Sequence, residues 1–233
     1  LVITLPSITY EVTHLSGKTE TIYSPSLFPD HGQAKSIQEP WITGKIIIPP
    51  EYMGAITRML YDHEAEVFET ELFGENRTAV TFFMPLRELM RNFFDELKSA
   101  SSGYGSLSYE FFEYRDADVA RLDIIVSDEL VPAFARVVSR RRVEEEAKKA
   151  VERLHEVMPR QMFVMKIQGK ALGRILSSKT VKAFRKDVTA KLYGGDITRK
   201  RKLLEKQKKG KKKMRSQGKV HIPPEAFIKM MKN

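Results

Sequence analysis

The 233 residues include 40 lysines and arginines against 30 acids, a formal charge of +10, with 42% hydrophobic residues and no cysteine. That apolar share supports real cores, so disorder from end to end is excluded, and the lack of cysteine excludes disulfides, a thiolate nucleophile and a sulfur-ligated metal. The longest apolar runs, such as IIIPP at 46–50, fall far short of the roughly 18–20 residues of a membrane span, and the opening Leu-Val-Ile-Thr has neither a methionine nor the basic n-region of a signal peptide. The chain reads as soluble, and as a fragment or processed product.

SITYEV (7–12) and KTETIY (18–23) flank a turn at Ser16-Gly17, the pattern of a hairpin. A lone hairpin is marginal in water, so it must pack on something else. SPSLFPDHGQ (24–33) reads as a linker or extended loop. WITGKIII (41–48) is β-rich, and Pro49-Pro50-Glu51 opens a helix on which Tyr52, Ile56, Met59 and Leu60 recur at helical spacing. AEVFETELF (65–73), a turn at Gly74-Glu75-Asn76 and RTAVTFFMP (77–85) form a second hairpin. Leu86, Leu89, Met90, Phe93, Phe94 and Leu97 then mark one face of a helix that ends in SASSGYG (99–105). LSYEFFEY (107–114) closes a β-α-β-β-α-β unit, the ferredoxin-like split-βαβ layout.

LDIIVS (122–127) starts another unit as a strand. SRRRVEEEAKKAVERLHEVMP (139–159) is predicted helical, with Glu145 and Lys149 as an i,i+4 pair and Pro159 as its stop. QMFVMKIQG (161–169) is predicted as a strand. SSKTVKAFRKDVTAKLYG (177–194) is predicted as a helix with a serine N-cap and an apolar face of Val181, Phe184, Val188 and Leu192. After the basic run at 194–218, HIPPEAFIKMMKN gives a strand stub, a Pro-Pro break and an amphipathic helix through Ala226, Phe227, Met230 and Met231. The fold class is α+β: a ferredoxin-like split β-α-β domain, followed by a smaller α+β C-terminal domain with a basic helical segment.

Charge is divided unevenly. Residues 1–165 hold 18 lysines and arginines against 26 acids; residues 166–233 hold 22 against four, Asp187, Asp196, Glu205 and Glu225. Within 199–219 there are 12 basic residues and one acid. Asp196 is placed to cap a helix at Ile197. Leu203, Leu204 and Met214 form too thin a stripe to hold such a helix on a core, Gly210 interrupts it, and like charges at i,i+3 and i,i+4 repel. The segment is expected to be weakly ordered alone and to become helical as phosphates neutralise it. The plainer alternative is a solvated lysine-rich tail, against which stands the closing helix that re-anchors the chain through Phe227. A polybasic contact with an anionic membrane surface is a further reading.

The tip SSGYG (101–105) carries a glycine-bracketed Tyr104 that can stack on a base or sugar, or that merely sits in turn chemistry. Catalytic patterns are missing: no P-loop, no nucleophile elbow, no H-E-x-x-H. His14, His31, His63, His155 and His221 never stand three to five residues apart, the spacing of a local metal pair. The acidic clusters Asp62-Glu64-Glu66 and Glu144–Glu146 read as solvated faces. No catalytic, cofactor-binding or metal-binding residue is assigned.

KDVTAKLYGGDITRKRKLLEKQKKGKKKMR (186–215), followed by VHIPPEAFIKMM (220–231), closely resembles the C-terminal signature of the LepA family of ribosomal translation factors, also called elongation factor 4. LPSITYEV (5–12), EPWITGKIIIPPEYMGAI (39–56), MPLRELMRNFFDELKSASSGYGSLSYE (84–110) and MPRQMFV (158–164) extend the resemblance over essentially the whole chain, although Leu192 stands where many members have Cys and 165–177 departs from the usual text. The family is one of translational GTPases with elongation-factor-G-like domains and a C-terminal domain of its own.

The resemblance implies that residues 1–38 are the end of domain III and a linker, 39–120 the elongation-factor-G-like domain V, and 121–233 the family-specific, RNA-binding domain. It implies no GTPase activity here, since GTP and Mg belong to an N-terminal domain absent from this sequence. It implies a cytoplasmic monomer, peripheral to the inner membrane at most, and mitochondrial or plastid if the parent is organellar. Partners are the large-subunit rRNA and tRNA on elongating or stalled ribosomes, in tRNA back-movement or translational fidelity. Ser102, Gly103 and Tyr104 would touch the large subunit. RNA contacts fall to Arg185, Lys186 and Lys191, and to the basic run of Arg199, Lys200, Arg201, Lys202, Lys206, Lys208, Lys209, Lys211, Lys212, Lys213 and Arg215. The alternative is a stand-alone basic RNA-binding module without a ribosome-specific role.

Overall fold

The computed structural model describes residues 8–74, 76–184, 186–190, 192, 197–217 and 220–231. The chain divides between Val119 and Ala120 into two compact units.

The first unit opens with the hairpin β1 (Tyr10–His14) and β2 (Thr19–Ile22), with Gly17 at φ 82° in the turn where the sequence placed one. A short 3-10 turn at Pro25–Leu27 leads into β3 (Ala34–Ile48), which starts well before the predicted strand at 41. Its early residues pair with β1 and its later ones with two further strands. Then follow α1 (Met53–Asp62), β4 (Glu66–Leu72), β5 (Thr78–Pro85), α2 (Leu86–Glu88), α3 (Phe94–Ala100) and β6 (Ser106–Asp116). The four strands after the hairpin run β6-β3-β5-β4, all antiparallel, which is the ferredoxin-like order the sequence predicted.

The helices bury Ile56, Met59, Leu60, Leu89, Phe93 and Leu97 on Ile42, Ile46, Ile48, Val80, Phe82 and Met84. Each such side chain contributes roughly 1.5–3 kcal/mol of burial. A Cβ at Gly44 would lie 2.4 Å from the ring of Phe82, so only glycine lets that ring settle in the core. The predicted helix at 86–97 is interrupted. Residues Leu89–Phe93 form a π-type turn, with Asn92 at φ 56°, a conformation asparagine tolerates better than most residues.

The second unit contains β7 (Val119–Val126), β8 (Glu129–Leu130), β9 (Arg136–Ser139), α4 (Val143–Val157), β10 (Met165–Ala171) and β11 (Arg174–Val181). Its sheet runs β11-β10-β7-β8, with β9 also on β7. α4 lies on β10 and β11, burying Val151 and Leu154 against Ile167 and Met165. Two helices complete it, α5 (Ile197–Gln217) and α6 (Pro224–Met231).

Here three expectations fail. The helix predicted at 177–194 does not form. Its first residues belong to β11, where Ser177 pairs with Gly169 and Val181 with Met165. The described residues beyond Val181 up to Leu192 have no helix, and Phe184 is exposed. Long-range pairing with β10 satisfies the backbone there, and the spacing of Val181, Phe184, Val188 and Leu192 only mimics a helical stripe. Likewise the strand predicted from 161 begins at Met165, and no strand stub forms before α6. Residues 220–223 are irregular, held by Gln161 Nε2 donating to the carbonyl of His221 at 2.6 Å.

Candidate nucleic-acid interface

α5 is built almost entirely of cations: 11 lysines and arginines and one acid in 21 residues. In the structure it is a continuous helix through Gly210. Local tethers account for part of this. Gln207 Nε2 donates to the carbonyl of Lys186 at 2.7 Å, and Lys211 Nζ donates to the carbonyl of Phe184 at 2.5 Å. The strap that receives these bonds is itself fixed, because Phe184 N–H donates to the carbonyl of Gln161 at 2.8 Å. Thr189 also donates to Asp187 Oδ1 from both its N–H and its hydroxyl. Arg201 and Glu205 face each other at 3.5 Å on the exposed surface, worth at most a few tenths of a kcal/mol.

α6 then returns the chain to the core. Ala226 and Met230 are fully buried, the Phe227 ring lies 4.9 Å from that of Phe134, and Arg136 Nη2 donates to the carbonyl of Met230. The anticipated anchor at Phe227 is therefore present.

Of the predicted RNA-contacting residues, Lys186 is exposed on the strap, and Arg199, Arg201, Lys202, Lys206, Lys208, Lys209, Lys212 and Lys213 are exposed along α5. Lys200 and Lys211 are half-buried. Arg215 lies in the last turns of α5. Arg185, Lys191 and the proposed cap Asp196 lie outside the described residues.

The SSGYG tip belongs to the first unit. Ser102 and Gly103 both take positive φ, 48° and 86°, and Gly103 N–H donates to the carbonyl of Lys98 at 2.7 Å. Beneath them the buried Ser101 hydroxyl donates to Leu97 O at 2.6 Å and accepts from Gly105 N–H at 2.8 Å. Lys98 Nζ ties down the carbonyl of Gly105 at 2.7 Å. A Cβ on Gly105 would lie 2.7 Å from the Ser101 oxygen, so glycine is required. On this rigid base Tyr104 stands 69% exposed, its ring 6.1 Å from that of Tyr52 at 25°. The sequence places Tyr52 only on a helix face.

Sequence reasoning missed a buried ionic cluster under the sheet. Arg87 Nε donates to Glu39 Oε2 at 2.8 Å, and its terminal nitrogens reach Glu64 and Glu88. Arg91 Nε donates to Glu88 at 2.8 Å, and the buried His63 contacts Glu96 at 2.9 Å. Glu64 is thus not on a solvated face, whereas Glu66 pairs with Arg115 on the surface as expected. Burial pushes the Glu39 carboxyl up to about 7 although Arg87 pulls it down. Burial alone would lower the Arg87 guanidinium, but Glu39, Glu64 and Glu88 together hold it above its ordinary value. Burial, reinforced by Glu39, likewise raises the Tyr10 phenol. No local motif signals this cluster, because its members are drawn from positions 39, 63–64, 87–91 and 96.

Among the described residues no group of three or more His, Asp or Glu side chains could hold a metal ion, and no helix is long and apolar enough to cross a membrane.

Two family models divide the chain between them. That of the elongation factor G C-terminus matches residues 36–125, and that of the GTP-binding protein LepA C-terminus matches 126–232. The chain belongs to the LepA, or elongation factor 4, family. Proteins called elongation factor 4 from Desulfosudis oleivorans and Thermotoga maritima are each 45% identical over all 233 residues, and that from Acetivibrio thermocellus is 43% identical over 232. The chain covers 39%, 38% and 38% of these relatives, so it spans under two fifths of their length. It corresponds to the C-terminal part of LepA, and its mixed α+β fold with two antiparallel sheets is consistent with both matches.

Proposed function

We propose that this chain is the ribosome- and RNA-contacting C-terminal part of a translational GTPase acting on elongating or stalled ribosomes. In this reading residues 1–38 end the preceding domain and its linker, 39–120 form domain V, and 121–233 form the family-specific RNA-binding domain. The observation that carries it is α5: a solvent-facing helix with one acid among 11 cations, clamped at both sides into an otherwise folded unit. A phosphate backbone is the polyanion that such a ridge fits, with affinity coming from release of condensed counterions. Lys186 and the α5 cations contact rRNA or tRNA, and Ser102, Gly103 and Tyr104 contact the large subunit. GTP and Mg bind elsewhere in a full-length parent, and this part turns over no GTP.

Pull-down with purified large ribosomal subunits across a salt titration tests the proposal. Association at low salt that weakens steeply as salt rises is expected; no association at low salt defeats it. Equal affinity for any duplex RNA, with no preference for subunits, would favour the stand-alone basic module. Flotation with anionic liposomes, absent with neutral ones, would instead favour a peripheral membrane role.

A further inference from the structure

The outer face of the first unit's sheet, opposite its helices, carries a ladder of aromatic rings that the core does not use. Phe68 on β4 stacks on Phe83 of β5 at 4.6 Å and 20°, and Phe83 stacks on Phe112 of β6 at 4.5 Å and 30°. Phe68 and Phe112 end the stack and remain 54% and 42% exposed. The Arg115 guanidinium already sits among these rings, 4.7 Å from Trp41, 5.0 Å from Phe83 and 5.2 Å from Phe112. Carboxylates surround the ladder. Arg115 pairs with Glu66 and Glu113, Lys45 pairs with Glu71 at 2.7 Å, and Glu69 and Glu110 are exposed with no ion pair among the described residues.

We propose that this face docks a basic protein segment presenting arginine side chains. Stacked rings bordered by carboxylates offer a guanidinium both the ring quadrupole and a counter-charge, and Arg115 displays that geometry within the chain itself. Five carboxylates against two cations repel phosphates, which disfavours single-stranded RNA although the rings alone could stack bases. The same surplus disfavours a second copy, whose identical face would set like charge against like.

The test uses the full chain and a fluorescein-labelled peptide of alternating arginine and glycine, followed by anisotropy, with an oligouridylate as the competing class of ligand. Binding of the peptide is expected to weaken about two- to fivefold for Phe68→Ala and again for Phe112→Ala. The double variant Glu69→Gln/Glu110→Gln should weaken it comparably, and oligouridylate binding should be the same in every variant. Far-ultraviolet dichroism checks that each variant is folded, and the glutamine variant removes no ring. Three results would overturn the proposal: peptide affinity absent or indifferent to both kinds of substitution; oligouridylate affinity that falls with the rings; or a homodimer in sedimentation that the ring substitutions dissociate. None depends on α5, so failure of the RNA reading leaves this test intact.

Discussion

Arg87 reaches Glu39 through Nε at 2.8 Å with only 1% of the glutamate exposed, while the other arm of the same guanidinium holds Glu64 and Glu88. One cation thus serves three carboxylates from different elements of the first unit. Arg87→Met is expected to cost about 3–5 kcal/mol, because it leaves buried carboxylates without a partner. Arg174→Met, which removes the exposed pair with Glu144, should stay within about 0.5 kcal/mol. Urea denaturation midpoints of the two variants measure the contrast.

The pH dependence follows from Glu39. Its carboxyl titrates at about 7 in the folded chain against an ordinary 4.5, so the folded state binds this proton more tightly than the unfolded one. The resulting stability is fully present below 4.5 and is lost as pH rises through about 7. Glu39→Gln keeps the acceptor for Arg87 and removes the titration. Melting temperatures across that window should fall for the wild type relative to the variant; parallel curves would refute the assignment.

At the tip, stability and binding should separate. Gly105→Ala forces a methyl onto Ser101 and Leu97 and is expected to cost about 1–3 kcal/mol. Tyr104→Ala removes an exposed ring and should change stability by less than about 0.5 kcal/mol while weakening large-subunit association. Thermal melts alongside subunit pull-downs distinguish the two.

Reversing Lys208, Lys209, Lys212 and Lys213 to glutamate should abolish association at moderate salt. Neutralising them one at a time should flatten the log–log salt slope by about 0.9 for each lost duplex phosphate contact. An unchanged slope in quantitative filter binding would remove these lysines from the interface.

Met230→Ala should cost about 2–5 kcal/mol by opening a cavity beneath α6. Because α6 follows α5, the variant also tests whether the cationic helix keeps its place without the clamp. Limited proteolysis between residues 218 and 224 reads the outcome.

Local chemistry made some elements legible. Gly17 between β-branched runs and Pro50 ahead of α1 each specify an element through near neighbours, and the split-βαβ layout follows from the order of the elements. The error at 177–194 arose where the deciding contacts are distant: Ser177 to Gly169 and Val181 to Met165 outweigh a helix-like spacing. The charge block at 199–215 could be read directly from composition. The ionic cluster could not, since nothing in the surroundings of Glu39 or Glu64 in the sequence announces Arg87 as their shared partner.

Gln207 and Lys211 lie one turn apart and both bond to the same stretch, residues 184–186. They therefore lock the azimuth of α5 as a key locks a shaft, and helical phase carries Lys202, Lys209 and Lys213 to the far side as one register of charge. Inserting a single residue after Lys211 would leave the total charge intact yet turn Lys213 by about 100° out of line with Lys202 and Lys209. The helix is keyed as well as charged.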